Sequence, residues 1–245
     1  MNIIQVNGYA FRIPELASRY RANCSKEWGQ FIGGETKNMT SIEATQRGLT
    51  KGNFVEMALC WVDEKILTFE PNYINEPFTE IWGIPVAGGL KDQFHEKASE
   101  LSTFLMHRQS KDKLSSLIEI FAKEAFNQWV VDGMPGDPAE YAIAKAGESY
   151  FDRIFRFELK RTESSKYGAY FYVETSYRQP SGELETAALE AARQIYQAQL
   201  NGLGYCTDRR LVQNQSKSLG LAAASEPEVA ALPAAAEKVA NKRGK

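Results

Sequence analysis

The chain of 245 residues has few of the side chains that build covalent or metal-centred sites. Its three cysteines, Cys24, Cys60 and Cys206, are far apart and form no C-x-x-C pair. An odd number of scattered cysteines argues against a disulfide framework and a zinc site, and it fits a reducing cytoplasm. Its two histidines, His95 and His107, are not spaced as an i, i+4 pair of ligands on a helix. We therefore expect no bound metal and no cofactor.

Long apolar runs and a strong net charge are also absent from the sequence. No segment approaches the roughly 20 apolar residues of a membrane-spanning helix. Residues 1–16 lack the basic and apolar regions of a signal peptide. The net charge is −2 and the pI is near 5.9, so any nucleic-acid binding must come from a local patch. These features predict a cytoplasmic protein without a membrane partner.

The common motifs of catalysis are missing as well. The sequence has no G-x-S-x-G elbow and no dinucleotide fingerprint, and Gly88-Gly89 lacks the spacing of a phosphate-binding loop. Carboxylate pairs such as Asp63-Glu64 fall in predicted turns, away from other catalytic residue types. We expect a protein without catalytic residues. A carboxylate-based enzyme stays an alternative, because acidic residues converge only in three dimensions.

Apolar periodicity predicts an α+β protein. Alternating apolar and polar residues indicate a mostly antiparallel sheet, or a partly open barrel, built from residues 1–13, 54–86 and 151–178. Within the second range, residues 63–65 are predicted to form a turn. A short helix is expected after Pro14, at 16–21, and a helix start is predicted at Thr40 with Glu43 in the third position.

Helical spacing predicts an inserted helical hairpin at about 91–146 and a C-terminal helix at 183–200. Its first helix would include both histidines, Ser110 would cap its second helix, and Asp137 would cap a short third one. These elements form a single domain, 1–212. From residue 213 to residue 245 the chain is rich in alanine and proline and has no aromatic residue, so we expect a disordered tail.

The most informative stretch runs from Tyr150 to Tyr177 and predicts a β-hairpin. Its apolar residues alternate and belong on one buried face: Phe155, Phe157, Leu159, Phe171 and Val173. The opposite face then presents tyrosines between cations: Arg156, Lys160, Tyr170, Tyr172 and Arg178. Tyrosine rings stack on unpaired bases, and cations offset the charge of phosphates. The alternative interpretation is structural, with a second layer of the fold covering the tyrosines.

Two segments of this hairpin carry a family resemblance, Phe155-Arg156-Phe157-Glu158-Leu159-Lys160 and Tyr170-Phe171-Tyr172-Val173. With these aromatic strands, an inserted helical hairpin and a tail, the chain resembles phage- or plasmid-type single-stranded-DNA-binding proteins with an OB-like fold. It is also similar to uncharacterised cyanobacterial and phage proteins. The resemblance implies a non-catalytic protein that binds single-stranded DNA. The other hypothesis is a structural or adaptor subunit of a larger assembly, with protein partners or self-association through the same face and through helix 183–200.

Overall fold

The computed structural model describes residues 2–15, 17–25, 28–33, 40–69, 73–91, 95–166 and 168–200. They all belong to one unit, Met1–Asp208. The strands are β1 (Asn2–Val6), β2 (Tyr9–Ile13), β3 (Ser18–Cys24), β4 (Gly29–Gly33), β5 (Phe54–Phe69), β6 (Tyr73–Gly88), β7 (Ala98–Glu100), β8 (Ser102–His107), β9 (Ile154–Ser164) and β10 (Gly168–Arg178). The helices are α1 (Ser41–Gln46), α2 (Gln109–Val131), α3 (Pro138–Tyr150) and α4 (Glu183–Leu200). The predicted tail, 213–245, lies outside the described residues.

The larger sheet has the strand order β10-β9-β5-β6-β8-β3-β4 and is antiparallel except for the β3–β8 pair. It is strongly curled. The rings of Phe104 in β8 and Phe157 in β9 have centroids 5.1 Å apart, although β5 and β6 lie between these two strands. Beyond β4, the N–H of Phe31 donates to the carbonyl of Gly52 (2.8 Å), in the segment that leads into β5. The curl gives the sheet an inner and an outer face.

Apolar side chains fill the inner face and form what we call the inner cluster. Phe104 makes edge-to-face contacts with both Phe31 and Phe157, a geometry that aromatic rings favour. Leu114 and Phe121 of α2 close the cluster. Its other buried members are Val55, Met57, Leu59, Ile81, Leu90, Met106, Phe155, Leu159 and Val173. The residues predicted for the buried face of the β9–β10 hairpin therefore lie where the sequence placed them, with Phe171 partly buried beside them.

A second apolar cluster, which we call the outer cluster, lies on the other face of β5 and β6. Four alanines of α4 pack there without exposure: Ala187, Ala188, Ala191 and Ala192. The smaller sheet, of order β1-β2-β7, adds Phe11 and Ile13. In β5, Met57 belongs to the inner cluster and Ala58 to the outer one. This double coverage explains why the start of β5 is nearly all apolar.

Several local predictions are confirmed. The α+β class, the β9–β10 hairpin and the C-terminal helix all appear, and α4 has the predicted bounds. Thr40 and Glu43 form the predicted capping box of α1. The Oδ1 atom of Asp137 accepts the N–H groups of Ala139 and Glu140 (2.8 and 3.0 Å), as expected of a cap.

The predicted first helix of the insertion is wrong. Residues 98–107 contain β7 and β8, so the helical hairpin consists of α2 and α3, and His107 lies on a strand. Strand pairing decides the structure here, because β8 pairs with both β6 and β3. Ser110 does not cap α2. Its hydroxyl accepts the backbone N–H of Val173 (2.9 Å), at the free edge of β10.

Three further predictions fail for the same reason, since tertiary pairing overrides local preference. Residues 18–24 form β3, which has a strand on each side, rather than a helix. Residues 63–65 are not a turn, because β6 supplies partners along almost the whole of β5. Residues 2–13 form the separate small sheet with β7 and are not part of the larger sheet.

Candidate nucleic-acid interface

The outer face of the β9–β10 hairpin gathers the five residues that the sequence singled out. In the antiparallel register, Lys160 lies opposite Tyr172, and Tyr170 lies opposite Thr162. An even number of positions separates Arg156 from Lys160 in β9 and Arg178 from Tyr172 in β10, so each arginine points to the same face as that residue. Directly opposed residues of an antiparallel pair share a face, so all five point away from the inner cluster.

Both arginines of this face are engaged with carboxylates. Arg156 donates to Glu56 (3.0 Å) and to Glu158 (3.2 Å). Arg178 donates to Glu56 (2.5 Å) and to Glu185 of α4 (2.7 Å). The hydrogen bonds with Glu185 and then with Glu56 raise the pKa of Arg178, and the bond from Arg178 lowers the pKa of Glu185. This network ties α4 to the sheet, which gives both arginines a structural role.

The two tyrosines are half-buried and their hydroxyl groups are held. The hydroxyl of Tyr170 donates to Oε1 of Gln109 (2.6 Å), at the start of α2. The hydroxyl of Tyr172 donates to Oε2 of Glu174 (2.6 Å), two residues along the same strand. The bond to Glu174, with some burial and the charge of Glu174, raises the pKa of Tyr172 to about 12. Both rings are thus fixed by their polar ends while part of each stays in solvent.

Two lysines lie beside the tyrosines. Lys160, across from Tyr172, is exposed, and no carboxylate in the described part of the chain forms an ion pair with it. Lys113 of α2 places its Nζ atom 5.8 Å from the centroid of the Tyr172 ring and 3.7 Å from Oε2 of Glu174. The cations next to the rings are therefore lysines, one unpaired and one facing a carboxylate.

Gln109 and Lys113 belong to the site but were missed in the sequence. They are four residues apart in α2, so they share one face of the helix. That face reaches β10 because α2 runs along its edge, with Ser110 bonded to Val173. The sequence held a weak signal, a glutamine and a lysine at helical spacing, and nothing in it connected these residues to a strand some 60 positions later.

Within the described ranges, no group of three or more histidine, cysteine or acidic residues is arranged to hold a metal ion. None of the helices in that same part of the chain is long and apolar enough to cross a membrane. Comparison of the chain with protein-family models, with curated proteins and with solved structures gives no match.

Proposed function

We propose that the protein binds single-stranded nucleic acid, with single-stranded DNA as the leading ligand, on the outer face of the β9–β10 hairpin. The observation that carries the proposal is the pair of half-exposed rings, Tyr170 and Tyr172, on one face of one strand. Residues two apart on a strand are separated by about 7 Å, a spacing that lets neighbouring unpaired bases each meet one ring. Lys160 stands beside them as the phosphate contact.

The architecture supports this proposal. Strands β5, β6, β8, β3 and β4 form a continuous arc, and β4 returns to the segment that leads into β5. Such an arc resembles a small, partly open barrel of the OB type, an architecture used to bind oligonucleotides. The β9–β10 hairpin extends this arc on the other side of β5 and carries the tyrosines.

The charges indicate that stacking, rather than phosphate attraction, supplies most of the affinity. Arg156 and Arg178, predicted as phosphate contacts, each already have two carboxylate partners. Breaking those pairs to reach a phosphate would cost part of the gain. Base stacking on an aromatic side chain contributes roughly 1–3 kcal/mol per base, which two tyrosines can supply without a strong positive field.

The test is a fluorescence-anisotropy titration of a labelled single-stranded oligonucleotide at low salt. We expect Tyr172→Ala and Tyr170→Ala each to lose about 1–3 kcal/mol of binding free energy. Tyr172→Phe keeps the ring and should bind nearly as well as the wild type. Tyr141→Ala is the matched control, because the hydroxyl of Tyr141 also bonds a carboxylate, that of Asp132 (2.5 Å), but the residue lies on α3.

Thermal unfolding of the same variants separates binding from packing. If Tyr172→Ala lowers the melting temperature by many degrees and leaves binding unchanged, the ring belongs to the packing of the fold and the proposal is wrong. Absence of wild-type binding at low salt, where electrostatic attraction is strongest, would also overturn it.

A second candidate function, a subunit of a larger protein assembly, is favoured by the outer surface of α2. Phe126, Val130 and Val131 are 50%, 49% and 77% exposed there. Exposed apolar groups of this size are common at protein interfaces. The apolar side of α4, the other interface suggested by the sequence, packs within the outer cluster. Copurification that survives high salt and is lost in Phe126→Asp would support this candidate.

A further inference from the structure

Glu174 is an acidic residue on the face proposed to meet an anionic strand. It lies between the two groups most useful for binding. Its Oε2 atom accepts the hydroxyl of Tyr172 (2.6 Å) and lies 3.7 Å from Nζ of Lys113. The side chains of Glu174 and Lys113 are 27% and 43% exposed, so solvent and a ligand can reach both.

The position of the lysine gives this contact a consequence for binding. Nζ of Lys113 lies 5.8 Å from the centroid of the Tyr172 ring. A base stacked on that ring would carry its phosphate close to Lys113. The carboxylate of Glu174 already neutralises this lysine and repels the phosphate that would replace it.

We infer that Glu174 competes with nucleic-acid phosphate for Lys113, so that it limits the affinity of the Tyr172 position. The inference rests on the proposed function. In this inference, Lys113 can contact a phosphate only when it is released from Glu174. Glu174 therefore determines how much electrostatic attraction contributes to the affinity. The tyrosine rings then contribute more to the affinity of the wild-type protein than Lys113 does, because this lysine is already paired with Glu174.

The test is Glu174→Gln in the full chain, with a labelled single-stranded oligonucleotide as the probe. The amide oxygen of glutamine can still accept the hydroxyl of Tyr172, so the substitution removes the charge and keeps the ring in place. Removing one negative charge about 7 Å from a phosphate should tighten binding about threefold at low salt. The slope of log K against log salt should steepen by about 0.7, because Lys113 then neutralises a phosphate.

Two further variants make the result specific. Glu163→Gln makes the same change of net charge on the same hairpin, but Glu163 lies opposite Ala169 and points to the other face of the hairpin from the tyrosines. It should leave both the affinity and the slope near their wild-type values. Adding Lys113→Met to Glu174→Gln should abolish the gain, because the cation that was released is then missing.

The outcomes separate the inference from the proposed function. Wild-type binding with equal affinities for Glu174→Gln and Glu163→Gln overturns the inference and leaves the function standing. A gain that persists when Lys113→Met is added also overturns it. If neither the wild type nor Glu174→Gln binds, both fall. If only Glu174→Gln binds, the proposed function of the wild-type protein is overturned, while the competition between Glu174 and phosphate for Lys113 is supported.

Discussion

At the scale of single residues, Glu80 is a fully buried carboxylate that lies outside the candidate site. Its side chain is 0% exposed and pairs with Arg19 of β3 and Lys65 of β5. Burial opposes ionisation, yet attraction to Arg19 and the hydrogen bond from Lys65 lower the pKa of Glu80 below its ordinary value of 4.5. The carboxylate is therefore ionised at neutral pH and links three strands of the sheet.

This environment predicts a pH-dependent stability. A carboxylate with a lowered pKa stabilises the fold above its unfolded pKa, near 4.5, and this contribution is lost as the pH falls through the folded pKa. Glu80→Gln should cost about 3 kcal/mol near neutral pH, because Arg19 and Lys65, whose side chains are 10% and 16% exposed, lose this carboxylate, while Lys65 keeps Asp63 at 3.7 Å. Urea unfolding from about pH 7 to pH 3 measures the difference between wild type and variant, which should shrink below about pH 4.5. A difference that stays constant across this range would contradict an ionised Glu80.

At the scale of elements, β10 lies at the edge of the larger sheet, and groups distant in sequence form hydrogen bonds with its outer N–H groups. The N–H of Val173 donates to the hydroxyl of Ser110, and the N–H of Phe171 donates to the carbonyl of Ser25 (3.3 Å). The ring of Phe171 packs directly on Gly29, where a Cβ atom would lie 2.2 Å from the ring. Covering an edge in this way protects it from pairing with other chains.

The close contact predicts opposite outcomes for two glycines of β4. Gly29→Ala should destabilise the fold by about 1–3 kcal/mol, because the new methyl group overlaps an aromatic ring. Gly33→Ala is the matched control, since its Cβ would meet its nearest neighbour at an ordinary 3.5 Å. It should be neutral or gain up to about 1 kcal/mol. Chemical denaturation of both variants measures this. Equal stabilities would show that Phe171 does not rest on Gly29.

The elements also show which features can be predicted from sequence. Those set by near neighbours are predicted: the capping box at Thr40 and the alternation that buries Phe155 and Phe157. Those set by distant partners are not. The helical spacing of Ala98, Leu101 and Leu105 is misleading, because β2 pairs with β7, and β3 and β6 pair with β8. The face of the candidate site is predicted from period two alone, while two of the carboxylate partners of its arginines, Glu56 and Glu185, come from β5 and α4.

At the scale of the whole molecule, charge is nearly balanced. The net charge is −2, so the overall field does not attract nucleic acid. The hairpin face repeats this balance locally. Arg156, Arg178 and Lys113 each pair with a carboxylate, and Lys160 alone among these four is unpaired within the described ranges. A ligand on this face therefore finds aromatic surface and about one available cation.

This balance predicts a weak salt dependence for oligonucleotide binding. One phosphate contact to a single strand gives a slope of about −0.7, so the affinity should fall only about threefold between roughly 50 and 200 mM salt. Lys160→Met should flatten the slope further, whereas Lys123→Met, at an exposed lysine of α2, should not change it. The measurement is the anisotropy titration repeated at several salt concentrations. A slope of about −3 or steeper would require several phosphate contacts. The binding surface would then have to include cations outside the outer face of the β9–β10 hairpin, since one unpaired lysine, Lys160, lies on that face within the described ranges.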